Sequence, residues 1–122
     1  MLNKIINLKQ HCALILPCLI FYSCCHQDKA KLEVTDFSKT RTVFVKPCDN
    51  DSYAMMNVWI NGRTNDTILI KLGTEESLPI LKLSGKIKER WYTDYYGGFD
   101  QTLIFDPYKA TQGNLEIKFE LN

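Results

Sequence analysis

At 122 residues, with 45% hydrophobic and 24% charged side chains, the chain is long enough for one folded domain and too short for two. A formal net charge of +1 excludes the strong positive field of a nucleic-acid-binding module. Cys12, Cys18, Cys24 and Cys25 fall early and only Cys48 lies in the body, so the five cysteines are not scattered as a disulfide framework.

The first segment carries Lys4 and Lys9 among Ile5, Ile6 and Leu8, and no acid precedes Asp28. From Cys12 to Tyr22 the chain reads CALILPCLIFY, without charge, and Ser23 follows as a small residue. A positive start, a short apolar run and a small residue at its end predict a secretory signal over residues 1–23. The run is too short for a spanning helix, which needs roughly 20 apolar residues. Pro17 in its middle disfavours a buried core helix.

The stretch FYSCC, residues 21–25, resembles the lipobox of bacterial lipoprotein precursors, in which a small residue precedes a cysteine. Ser23 and Cys24 match the last two positions; Phe21 and Tyr22 stand where that family usually has Leu and a small residue. The resemblance implies a thioether-linked diacylglyceryl group on Cys24, with Cys25 as the alternative, and cleavage just before the modified residue. It also implies a bacterial membrane address. An Asp directly after the lipidated cysteine is an inner-membrane retention mark in some bacteria. The residue here is Cys25, or His26 for the alternative site, so the resemblance leans to the outer membrane.

Residues 24–41 read as the lipidated N-terminus and a polar tether, with a reach of at most roughly 55 Å for the sixteen residues after Cys25. Leu32 to Phe37 could alternatively add an edge strand. From Thr42 the apolar period is two, which sets the predicted domain at 42–122. Val43 and Val45 flank Phe44; Ala54, Met56, Val58 and Ile60 share a face opposite Met55, Asn57 and Trp59. RTND at 63–66 predicts a turn before Ile68, Ile70 and Leu72. A short strand follows through Ile80, Leu81 and Leu83, and another through Lys86–Trp91. Gly97-Gly98 predicts a turn into Thr102–Phe105, and Leu115, Ile117, Phe119 and Leu121 alternate with Glu116, Lys118 and Glu120. No helix is predicted after the signal. About seven short strands predict an all-β fold, a small antiparallel β-sandwich of Ig-like or related type, with a small β-barrel as the alternative.

Little in the body points to catalysis. Both histidines, His11 and His26, precede the predicted domain, which removes Ser–His and Cys–His chemistry and most zinc sites from it. Cys48 reads as a small buried residue, or as a disulfide partner for Cys25 if that cysteine is unmodified. Asp94, Asp100 and Asp106 leave a carboxylate-pair hydrolase open. Asp49-Asn50-Asp51 reads as a turn, lacking the rest of a calcium loop. The sequons at Asn50 and Asn65 read as coincidence. Glu89, on the face of Ile87 and Trp91, reads as an inward charge protecting an edge strand.

The richest stretch is WYTDYYGGF, residues 91–99. Trp91, Tyr92, Asp94, Tyr95 and Tyr96 are the candidate partner-binding residues, because aromatic side chains supply large rigid contact area. The plain alternative sends Trp91 and Phe99 into the core and lays the tyrosines over the sheet. The sequence therefore predicts a lipid-anchored envelope protein whose β domain binds or assembles without catalysis, cofactor or metal. Its expected partners are the membrane, through the N-terminal lipid, and an envelope protein or glycan, with no nucleic acid. An inhibitor of an envelope-targeting enzyme and a small carbohydrate-active enzyme are the rival readings.

Overall fold

A computed structural model describes residues 24–49, 51–73 and 79–122. They form six antiparallel strands: β1 (Lys29–Val34), β2 (Arg41–Val45), β3 (Met55–Leu72), β4 (Ile80–Asp94), β5 (Gln101–Asp106) and β6 (Gly113–Leu121). The described residues contain no helix.

The 18-residue β3 organises everything else. β4 pairs with one of its edges through both halves. On the other edge β6 pairs with Met56–Thr64 and β5 with Leu69–Leu72. β1 then extends the sheet from β6, and β2 extends it from β5. Straight, a strand of this length would measure roughly 60 Å. Instead Met56 and Leu72, near its two ends, line the same cleft. The β3–β4 hairpin is therefore folded over on itself, and one continuous sheet bends nearly into a barrel, with β1 brought beside β2. This small antiparallel body stands between the sandwich and the barrel anticipated from the sequence.

The fold happens at the RTND segment, which corrects the predicted turn. The chain does not reverse there; it runs on as β3, with a register shift against β4 between Thr64 and Ile68. Residues that favour turns also suit a bulge, because both take the backbone out of the ladder and sharpen its twist. Thr64 Oγ1 donates to the Asp66 carbonyl at 2.8 Å, and Asp66 Oδ1 accepts from the Thr67 amide at 2.7 Å. Asn65 clasps the loop before β6: its Oδ1 accepts from the amides of Thr111 (2.9 Å) and Gln112 (3.0 Å), and its Nδ2 donates to Thr111 Oγ1 (2.8 Å). Replacing Asn65 by Ala is expected to lower stability by about 1–2 kcal/mol in urea denaturation, since three hydrogen bonds go but the freed groups reach water.

A second correction concerns residues 24–41, whose charges suggested a tether. β1 pairs in full register with β6, and Leu32, Val34 and Phe37 are buried, so the edge-strand alternative is the one realised. Lys29, Lys31 and Glu33 take the outward positions of that strand, and an exposed edge strand carries the same charge density as a solvated linker. Lys31 bridges Glu33 and Glu116 on that surface, each at 3.2 Å. The two short strands predicted over residues 80–91 are likewise one strand, β4, which passes through Gly85 at φ 71°.

The alternation on β6 holds fully. Leu115, Ile117, Phe119 and Leu121 are buried, while Glu116, Lys118 and Glu120 face outward. They meet Val58, Ile60, Ile68, Ile70, Leu103 and Phe105 from the other strands. Each such side chain contributes about 1.5–3 kcal/mol when removed from water. Phe37 closes this core, its ring meeting Phe105 edge-on at 5.6 Å. Among the described residues β4 has β3 as its one partner strand, and no other described strand pairs with its outer edge. Lys82, Lys86, Lys88, Glu89 and Arg90 are exposed along it, so Glu89, expected as an inward charge, is open to solvent.

Candidate functional site

Two features lie at one end of the molecule: the N-terminal junction and the aromatic turn. At the junction Cys25 is disulfide-bonded to Cys48, with their Cα atoms 5.9 Å apart, while Cys24 is free and exposed. The bond settles how Cys48 is used and removes it as a nucleophile. The residues after Cys25 are fixed too. The Lys46 amide donates to the Gln27 carbonyl (2.8 Å), Gln27 Nε2 donates to the Pro47 carbonyl (2.8 Å), and the Leu121 amide donates to the Asp28 carbonyl (2.9 Å). Tyr53 ties the corner together. Its hydroxyl accepts from the Cys48 amide (2.8 Å) and donates to Asp28 Oδ2 (3.0 Å). Asp28, Cys48 and Asp51 converge here, but the Cys48 sulfur is spent in the disulfide and Asp28 is engaged by Tyr53, so the trio is a structural corner. The predicted signal, residues 1–23 with His11, lies outside the described residues.

Beyond Tyr53 the chain enters β3, and the Ala54 carbonyl accepts from the Tyr95 amide at 2.9 Å. The rings of Tyr53 and Tyr95 meet edge-on at 6.2 Å. Tyr95 is buried and its hydroxyl donates to the Phe99 carbonyl at 2.8 Å, which holds the Gly97-Gly98 turn in shape. Burial pushes this hydroxyl above its ordinary pKa; the bond to Phe99 works against that and the nearby Asp100 carboxylate adds to it. It therefore stays a donor across the physiological range.

Beside this turn the folded-over hairpin opens as a cleft of about 270 Å³. Met56 and Leu72 form its floor from the two halves of β3, and Trp91 and Thr93 come from the inward face of β4. Asp94, Tyr95, Tyr96, Gln101 and Pro79 complete the wall. The cleft lies where β4 is an edge: no further described strand covers Trp91, which packs against the core while staying half-exposed.

Four of the five predicted binding residues, Trp91, Asp94, Tyr95 and Tyr96, share this cleft. Tyr92 does not. One position along a strand reverses the side chain, and Tyr92 points to the outer face, where the Arg90 guanidinium lies 5.1 Å from its ring and 5.6 Å from that of Trp59. Arg90 Nη2 also donates to the buried Asn57 Oδ1 at 2.8 Å, so this cluster satisfies a buried amide. The plain alternative for the aromatic run is corrected in detail: Phe99 is exposed and Tyr95 is the residue that enters the core. Asp106 lies at the far end of β5, paired to Lys71 at 3.1 Å, and does not join Asp94. Met56, Leu72, Pro79, Thr93 and Gln101 were not foreseen, since they become neighbours only through the bend in β3.

The fold and site thus define a small, all-β, cleft-bearing domain clamped at its N-terminus by a disulfide. No protein-family model and no curated protein matches this sequence. Among solved structures, the chain is similar to a de novo designed double-stranded beta-helix studied by solution NMR. That likeness has 13% identity, covers 77% of this chain and 97% of the designed one, and has a TM-score of 0.42.

Proposed function

We propose that this protein is a lipid-anchored envelope protein, acylated on Cys24, whose β domain is a binding module without catalytic activity. The observation that carries the reading is the division of labour between adjacent cysteines. Cys25 is engaged with Cys48, and Cys24 is free and exposed, at the position matching the lipobox cysteine. Disulfides belong to oxidising compartments, which agrees with export. An anchor of two or three acyl chains holds a protein firmly without a spanning helix. Among the described residues that line the cleft Asp94 is the one carboxylate, whereas glycoside hydrolysis needs a facing pair.

Intact-mass measurement of the membrane-extracted protein tests the anchor. The expected product begins at residue 24 and carries diacylglycerol, with or without a third chain. Cys24→Ser is expected to move the protein wholly from the membrane fraction to the soluble or precursor pool, while Cys25→Ser keeps it membrane-bound. An unprocessed, unacylated wild-type product removes the reading.

A further inference from the structure

We propose that the cleft between the folded halves of β3 and β4 binds a single uncharged hexose ring, stacked on Trp91 and hydrogen-bonded by Thr93, Asp94 and Gln101. The inference rests on the reading of this domain as a binding module and names its ligand class.

Three observations converge on that chemistry. The first is size. At about 270 Å³ the cleft is at the small end of ligand sites, which measure roughly 300–1,000 Å³, and one sugar ring suits that space. The second is the arrangement of the wall. Met56, Leu72, Pro79 and the half-exposed Trp91 provide apolar surface, while Thr93, Asp94 and Gln101 stand around them. A pyranose has this same division, with C–H groups across its faces and hydroxyls around its rim. The C–H face suits the electron-rich face of an indole. A carboxylate accepts from sugar hydroxyls, a side-chain amide both donates and accepts, and a threonine hydroxyl does either. An entirely apolar ligand would strip water from Asp94 and Gln101 without replacing it.

The third observation is charge. No Lys, Arg or His is among the described lining residues, and Asp94 contributes a negative charge with Asp100 close by in sequence. Anionic sugars and phosphates are disfavoured, because nothing in the cleft neutralises them. Tyr95, its hydroxyl already committed to the Phe99 carbonyl, acts as a fixed wall. Tyr96, 81% exposed, is free to close over the outer side of a bound ring.

Such a ring reaches the cleft either as a soluble saccharide or as a glycolipid headgroup, and the experiment separates these sources. The full-length protein in detergent or nanodiscs, carrying Trp59→Phe so that Trp91 is the sole tryptophan, is titrated with methyl glucoside, methyl galactoside and N-acetylglucosamine. Glucuronate is the charged comparison, and vesicles with and without a neutral glycolipid form a second arm. Saturable change in Trp91 emission with a neutral hexose, at least tenfold weaker with glucuronate, is the expected result. Asp94→Asn, which keeps the shape of the cleft, is expected to weaken binding about tenfold; by isothermal titration calorimetry, which needs no tryptophan reporter, Trp91→Phe, a smaller platform, weakens binding less than Trp91→Ala. Response confined to glycolipid vesicles assigns the same ring to a membrane headgroup. Absence of any saturable response in both arms, or preference for glucuronate, overturns the proposal. Failure here is distinct from failure of the anchor: acylated protein that ignores every hexose leaves the anchored domain standing without this ligand.

Discussion

Deleting the Cys25–Cys48 bridge with the double variant Cys25→Ser/Cys48→Ser is expected to reduce the unfolding free energy by about 3–4 kcal/mol. The bond closes a loop of 23-residue separation, and the chain-entropy relation gives that figure at 25 °C. For a domain of this size the loss corresponds to a fall in Tm of roughly 15–25 °C. The loop it closes holds β1, Phe37 and β2, so loosening Cys25 also frees the first paired strand. Thermal unfolding of the wild type with and without a reductant is the check that needs no variant. A Tm indifferent to reduction would show that the hydrogen bonds of Gln27, Asp28 and Tyr53 hold the corner without the bridge.

The other large effect is expected at Gly62. This residue sits in β3 opposite Leu115 of β6, at φ +140°, a conformation that side-chain-bearing residues rarely adopt. A Cβ built there overlaps the Asn114 carbonyl oxygen, which is backbone and cannot swing aside. Gly62→Ala adds a strained dihedral, about 1–3 kcal/mol, to a forced separation of two paired strands of similar cost. A total loss of about 3–5 kcal/mol is expected by chemical denaturation. Gly85→Ala is the comparison: its φ is also positive, but its Cβ meets nothing within 4 Å, so it carries the dihedral cost alone. Equal losses for both variants would mean that backbone crowding at β6 contributes nothing.

Gly62 also marks the border between what was legible in the sequence and what was not. The period-two pattern identified Ala54, Met56, Val58 and Ile60, then Ile68, Ile70 and Leu72, as one inward face; all are buried except Ala54, which precedes β3 and is exposed. The pattern is legible because burial alternates along a strand whether the strand is straight or bent. What it lacks is any record of direction between segments. RTND carries the same residues whether it reverses the chain or bulges it, and only the partner strand β4, continuing alongside, decides the matter. The candidate site inherits this gap. The aromatic run supplied Trp91, Asp94, Tyr95 and Tyr96 because they are contiguous in sequence. Met56 and Leu72 stand sixteen positions apart on one strand and meet only once it has folded in half. Tyr92 was grouped by proximity in sequence, where strand geometry sends it to the opposite side. β1 was misread for a related reason: three charged outward residues outweigh two buried aliphatic ones in any compositional view.

Under the acylation of Cys24 proposed above, the Cys25–Cys48 bond would have a mechanical outcome. Attachment point and rigid body are then separated by one peptide unit, about 3.8 Å, so the globule has almost no leash. It would skim the lipid surface near the corner that Tyr53 ties together, exploring two dimensions rather than a volume. Molecules displayed within a few ångströms of the headgroups would meet its cleft often, and anything suspended farther out would seldom do so.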